Sequence, residues 1–131
     1  MSEGTPPSAP SGDLLVHTLA MPANANLVGG IFGGWILLQF DLAAGMLGTR
    51  RSRGPVVTVA VEKFAFLTPL RIGEEFSVHG QVAATGSSSM TLALEGWAAS
   101  SEGGERRLIA RGTFISVAID AENRKRPLPA A

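Results

Sequence analysis

The order of patterns in this chain predicts an α+β fold: one long apolar helix packed against an antiparallel sheet. Three observations carry that prediction. A single stretch from about residue 34 to residue 47 is apolar on nearly every side at helical period, which places it inside the protein. From Pro55 onward the apolar period falls to two, in four runs joined by short Gly- and Ser-rich turns. One further strand precedes the helix. A sheet wrapped around that helix gives it the cover it needs, and 131 residues suit one compact domain.

The elements follow in order. Residues 1–12 are a tail, because Pro6, Pro7 and Pro10 among small polar residues cannot build a core. Residues 14–19 read as a strand stopped by Pro22, and residues 24–30 as a turn-rich loop. The helix is expected to end against Gly48, with Arg50, Arg51 and Arg53 beyond it, where cations suit a helix C-terminus. Val57, Val59 and Val61 then alternate with polar or small neighbours before the apolar parity flips to Phe64 and Phe66. One extra residue produces such a flip, so a β-bulge is expected at Glu62-Lys63. Phe76, Val78, Gly80, Val82 and Ala84 form the next strand, and residues 85–88 turn into Met90, Leu92, Leu94, Gly96 and Ala98. Trp97 falls on the opposite face. Residues 108–119, apolar on both parities, read as a strand covered on two sides. The single domain thus spans residues 13–120, and residues 121–131 form a basic, Pro-containing tail. The face bearing Trp97 is expected to need cover from a second copy.

Composition removes several chemistries. With no cysteine there is no disulfide, thiolate catalysis or Cys-based metal site. Only two histidines, His17 and His79, are present, without metal-ligand spacing. A net charge of zero gives no basic excess for nucleic acid. The longest apolar stretch contains Gln39 and Asp41 and is too short for a membrane span, and the N-terminus has no apolar signal segment, so the expected location is the cytoplasm.

Within the apolar helix Asp41 is the exception, since its neighbours Leu37, Leu38, Ala44 and Gly45 offer no cation one turn away. A buried carboxylate is either paired, for example with Lys63 or an arginine of the sheet, or used in chemistry. Burial would raise its pKa and suit it to act as a base. Gly29, Gly30, Gly33 and Gly34 line the start of the helix, where free N–H groups carry partial positive charge. They match neither a dinucleotide-binding fingerprint nor a P-loop. They either permit a tight turn or let a carbonyl oxygen approach those donors as in an oxyanion site. Asn24 and Asn26 read as turn residues or as groups orienting a water, and the histidines as packing or solvated residues.

The segments His17-Thr18-Leu19-Ala20-Met21-Pro22, Asn26, Gly29, Ile31-Phe32-Gly33-Gly34-Trp35 and Asp41, then Val56-Val57-Thr58-Val59-Ala60-Val61-Glu62, Phe66-Leu67 and Pro69, together resemble the YciA-like acyl-CoA thioesterases of the hotdog fold. The resemblance runs from about Val16 to Pro129. It implies hydrolysis of acyl-CoA at a dimer interface, without a cofactor or metal, in dimers assembled further into trimers of dimers. It implies that Asp41 is the catalytic acid residue, as general base or as nucleophile, and that Asn26 faces Asp41 of the partner subunit and positions water. Backbone N–H groups of Gly33 or Gly34, beside Phe32, would form the oxyanion site. The pantetheine arm would follow the Val59-Ala60 strand and the Ser87-Ser88 turn, with Arg124 and Lys125 at the nucleotide phosphates. One departure stands out: Gly30 occupies a position where the family commonly has an aspartate. A hotdog dehydratase is disfavoured because no histidine lies in the loop or helix. A non-catalytic acyl-CoA-binding module is the alternative.

Overall fold

A computed structural model of the chain describes residues 8–100 and 102–131. The first seven residues of the expected N-terminal tail lie outside the described residues. The elements are β1 (Asp13–Leu19), a one-turn 3-10 helix (Pro22–Asn24), α1 (Gly33–Ser52), β2 (Val56–Phe66), β3 (Glu75–Thr85), β4 (Ser89–Ala99) and β5 (Arg107–Ala118). The strands form one antiparallel sheet in the order β1-β3-β4-β5-β2. The three hairpin-linked strands lie in the middle, and the strands on either side of the helix in sequence take the two edges. α1 packs across one face and touches every strand.

Aromatic rings set the helix–sheet distance. Phe40 is fully buried, with Phe64 at 4.8 Å edge to face and Phe114 at 6.2 Å nearly stacked. Gly96 lies beneath this cluster: a Cβ there would stand 2.7 Å from the Phe76 ring and 2.8 Å from Phe40. The missing side chain lets the rings sit directly on β4.

The bulge expected at Glu62-Lys63 is present. The β2–β5 register shifts between Glu62 and Ala65, and Lys63 takes φ 54°. The helix end differs from expectation. α1 does not stop at Gly48 but continues to Ser52, where Arg53 closes it in a left-handed cap (φ 59°) with its N–H bonded to the Thr49 carbonyl. Gly48 is buried, and a Cβ on it would lie 3.2 Å from Val56 and 3.3 Å from the Ser116 hydroxyl. This glycine allows close approach to the sheet and does not end the helix. Trp97 also differs: it is 1% exposed in the single chain, and its indole N–H donates to Glu95.

Residues 121–131 lie against the fold. Arg126 donates to the carbonyls of Ile119, Ser52 and Pro55 and to the Ser52 hydroxyl. Arg51 donates to Pro129, and the Leu128 N–H to Ser87. The basic, Pro-containing segment expected as a tail thereby fastens the C-terminus of α1 to the sheet.

Candidate active site

Asp41 projects from the middle of α1 and is exposed in the single chain, contrary to the burial expected from its apolar neighbours. The reason is that α1 is covered on one side only. Leu37, Leu38, Leu42 and Met46 are exposed beside Asp41, and so are Val57, Val59 and Val61 of the edge strand β2. The cation partner considered for Asp41 is absent: among the described residues no salt bridge reaches it. Instead the Thr58 hydroxyl donates to Oδ1 of Asp41 at 2.8 Å. This fixes one carboxylate oxygen without neutralising the charge. Asp41 lines a hollow of about 380 Å³ together with Gly34, Leu37, Leu38, Thr58, Val61 and Phe114.

Asn26 is bound to its own loop. Its Oδ1 accepts from the N–H groups of Val28 (3.0 Å) and Gly30 (2.9 Å), and its backbone N–H donates to the Gly30 carbonyl. The acceptor side of the amide is therefore occupied, and Nδ2 is what the residue has left to offer. Asn26 lines a cleft of about 450 Å³ with Gly30, Ile31, Gly33, Ile36, Phe66 and Leu70. Gly33 and Gly34 open α1, and their N–H groups have no protein acceptor among the described residues. A Cβ on Gly33 would stand 3.1 Å from the tip of the Phe66 ring, so glycine keeps this approach open. Phe32 is the N-cap residue. It is half exposed and accepts from Trp35 and Ile36 through its carbonyl, and it does not line the cleft.

Asp41 and Gly33 are eight residues apart on one helix, about 12 Å along its axis. A single thioester carbonyl cannot touch both from one chain.

A thioesterase superfamily profile matches residues 28–105, more than half of the chain. The chain belongs to the thioesterase superfamily. It is 38% identical over 125 residues to the acyl-CoA thioester hydrolase YciA of Salmonella typhimurium, covering 93% of this chain and 94% of that one. The crystal structure of a hexameric thioesterase from Yersinia pestis superposes with TM-score 0.90 at 38% identity, covering 93% of this chain and all of that one. A hexameric broad-specificity acyl-coenzyme A thioesterase gives 0.85 at 39% identity, covering 93% of this chain and 84% of that one. The fold is the hotdog.

In this thioesterase, the residues expected at the CoA arm lie apart from the Asn26 cleft. Val59 and Ala60 follow Thr58 on the exposed edge of β2. The carbonyls of Ser87 and Ser88 are taken by Leu128 and Ala118. Arg124 is held by Asp120 and Glu122, and Lys125 is exposed beside it. His17 pairs with Glu75 and His79 with Ser77, both away from Asp41. Burial pushes the His79 imidazole below the usual histidine range, with the Arg106 charge acting the same way. Sequence reasoning missed Thr58 as the residue that holds Asp41 and Phe66 as the wall over Gly33. Thr58 sits on the polar parity of a valine-rich strand, a signal that could have singled it out. Among the described residues no cluster of His, Asp or Glu is placed to hold a metal, and no helix is long and apolar enough to cross a membrane.

Proposed function

We propose that this chain is a cytoplasmic acyl-CoA thioester hydrolase that works as a homo-oligomer of dimers, three dimers to a hexamer. The observation that carries the proposal is the Asp41 carboxylate, placed by Thr58 on an apolar face and left without a cation. Each site takes Asp41 and Thr58 from one subunit and Asn26, Gly33 and Gly34 from its partner. β2 is an exposed edge strand rich in valine, a surface that favours pairing with a second copy. Burial of that face removes water from around Asp41 and strengthens the local electrostatics.

The thioester carbonyl oxygen accepts from the first-turn N–H groups of α1 and from Nδ2 of Asn26, which stabilise the developing negative charge. The occupied Oδ1 supports a role for Asn26 at the carbonyl in place of the water. Asp41 takes a proton from water as the oxygen attacks the carbonyl carbon. The C–S bond then breaks, the thiolate takes that proton, and the free acid leaves. No metal or cofactor enters the reaction.

The test is thiol release from acyl-CoA esters of short, medium and long chain, with wild-type protein and Asp41→Asn. Removing one proton-transfer group lowers kcat by ~10²–10⁴-fold. Wild-type turnover by Asp41→Asn would refute the mechanism, and CoA-ester binding without turnover by the wild type would leave a non-catalytic binding module.

A further inference from the structure

Both histidines and Trp97 stand outside the proposed hydrolysis, and they meet in one place. Phe76 and Val78 of β3 join the core beneath α1, so Glu75, Ser77 and His79 alternate to the opposite face of the sheet. His17 on β1 lies across from Ser77 on one side and Trp97 on β4 on the other. With Leu14 and Arg106 these residues line a hollow of about 130 Å³. Trp97 is buried in the single chain yet stands outside the core cluster on the helix side. Its indole is thus covered by its own chain.

Most polar groups of the hollow are already engaged. His17 bonds Glu75 at 2.8 Å, and the Trp97 indole N–H donates to Glu95 at 3.0 Å. Nε2 of His79 lies 3.1 Å from the Ser77 hydroxyl. Arg106 is the exception. It is exposed, and among the described residues its side chain has no acidic partner and no hydrogen bond. Arg107, next in the chain, shows the contrast by gripping Glu74 and the Pro69 carbonyl.

Size and charge select a chemical class. Liquid water takes about 30 Å³ per molecule, so the hollow has the room of about four waters, enough for a short organic acid and too little for a nucleotide. A guanidinium fork accepts a carboxylate through two parallel hydrogen bonds, and one unpartnered charge suits a monoanion. Leu14 and Trp97 offer apolar surface to a short hydrocarbon body. We propose that this hollow binds a small aliphatic monocarboxylate, its carboxylate on Arg106 and its hydrocarbon body against Trp97 and Leu14. The site lies across the sheet from α1, so its occupant and the group at Asp41 do not share space.

His79 makes the binding depend on pH. Charged or titratable groups face it from each neighbouring element: His17 on β1, Glu75 on its own strand, Glu95 on β4 and Arg106 ahead of β5. Burial holds its imidazole below the usual 6.5, and the Arg106 charge acts the same way. A bound carboxylate offsets that charge and favours the imidazolium, so affinity rises as pH falls through the His79 titration. An aliphatic carboxylic acid itself keeps its charge down to about 4.3.

The experiment titrates sodium butyrate into the full chain at constant ionic strength and follows tryptophan fluorescence. Trp35→Phe is the background, which leaves Trp97 as the one tryptophan of two. Butyramide, of the same shape without the charge, is the control, and a thermal melt confirms folding of each variant. Butyrate should give a saturable change at millimolar concentrations, and butyramide about tenfold weaker binding. Arg106→Gln should weaken butyrate about tenfold and remove its advantage over butyramide. His79→Gln should keep the affinity seen at neutral pH and lose the rise on acidification. No saturable change with butyrate, equal binding of butyramide, or an Arg106→Gln protein that binds like the wild type would each overturn the site. A rise on acidification that survives His79→Gln would overturn the role of His79.

Discussion

Thr58 makes Asp41 a positioned group and not a loose surface carboxylate. A hydroxyl donor holds one oxygen at 2.8 Å and brings no opposite charge, and the residue lines the hollow. Thr58→Val keeps the side-chain volume and removes only the donor. Loss of a hydrogen bond to a charged group is worth about 1.5–3 kcal/mol, so kcat should fall roughly tenfold or more with little change in KM. Steady-state kinetics checks this, and Thr58→Ser should recover most of the rate. An equal rise in KM would point to substrate contact by Thr58. Asp41 was legible from the sequence because a charge interrupts an apolar run. Thr58 stands out only as a polar residue in a valine-rich strand; its pairing with Asp41 depends on which side of β2 faces α1, and alternation alone does not say that. The state of Asn26 was equally hidden, since only the loop geometry shows its Oδ1 already taken.

At the level of elements, the legible features were those set by period. The parity flip in β2 located the bulge at Lys63 because a one-residue insertion has no other signature. The helix end was misplaced because glycine has two uses, and Gly48 serves close packing and not termination. The loop between β2 and β3 depends on a contact invisible to any local pattern. Arg107 grips both oxygens of Glu74 at 2.8 and 2.9 Å and also reaches the Pro69 carbonyl, while the Arg71 N–H adds a third bond to Glu74. That loop supplies Leu70, whose carbonyl receives the Ile31 N–H at the cleft. The Arg107 hydrogen bonds hold the Glu74 carboxyl below its ordinary 4.5. A depressed carboxylate stabilises the fold above its unfolded value, and that contribution is lost as pH falls below 4.5 through the folded value. Glu74→Gln should therefore be less stable by about 1–3 kcal/mol near neutral pH. The gap to wild type should narrow as the buffer is taken below 4.5. Urea titrations across that range check it, and a gap independent of pH would mean that packing, not charge, secures the loop.

For the whole molecule, the decisive quantity is the separation within one helix. Gly33 and Asp41 stand about 12 Å apart along its axis, which favours the proposed sites being assembled from two chains. Asp41 lies on the exposed apolar side of α1 and shares a hollow with Val61 of β2, whose valines are exposed, and both surfaces call for cover by a second copy. A twofold dimer that brings Asn26 of one subunit to the partner subunit's Asp41 creates two identical sites and covers that face. Composition and periodicity could suggest self-association, whereas the sharing entered only through the family resemblance. A mixing experiment isolates it. Asp41→Asn and Asn26→Ala subunits are each inactive as homodimers, because every site carries one defect. In a mixed dimer one site collects both defects and the other collects none. Unfolding the two variants together and refolding them at equal amounts makes half of the dimers mixed. With one good site of two in each, about a quarter of wild-type activity should return. If each site were built within one chain, no pairing would give an intact site and mixing would restore nothing. The recovered fraction therefore reports whether the acid and the carbonyl donors come from different subunits.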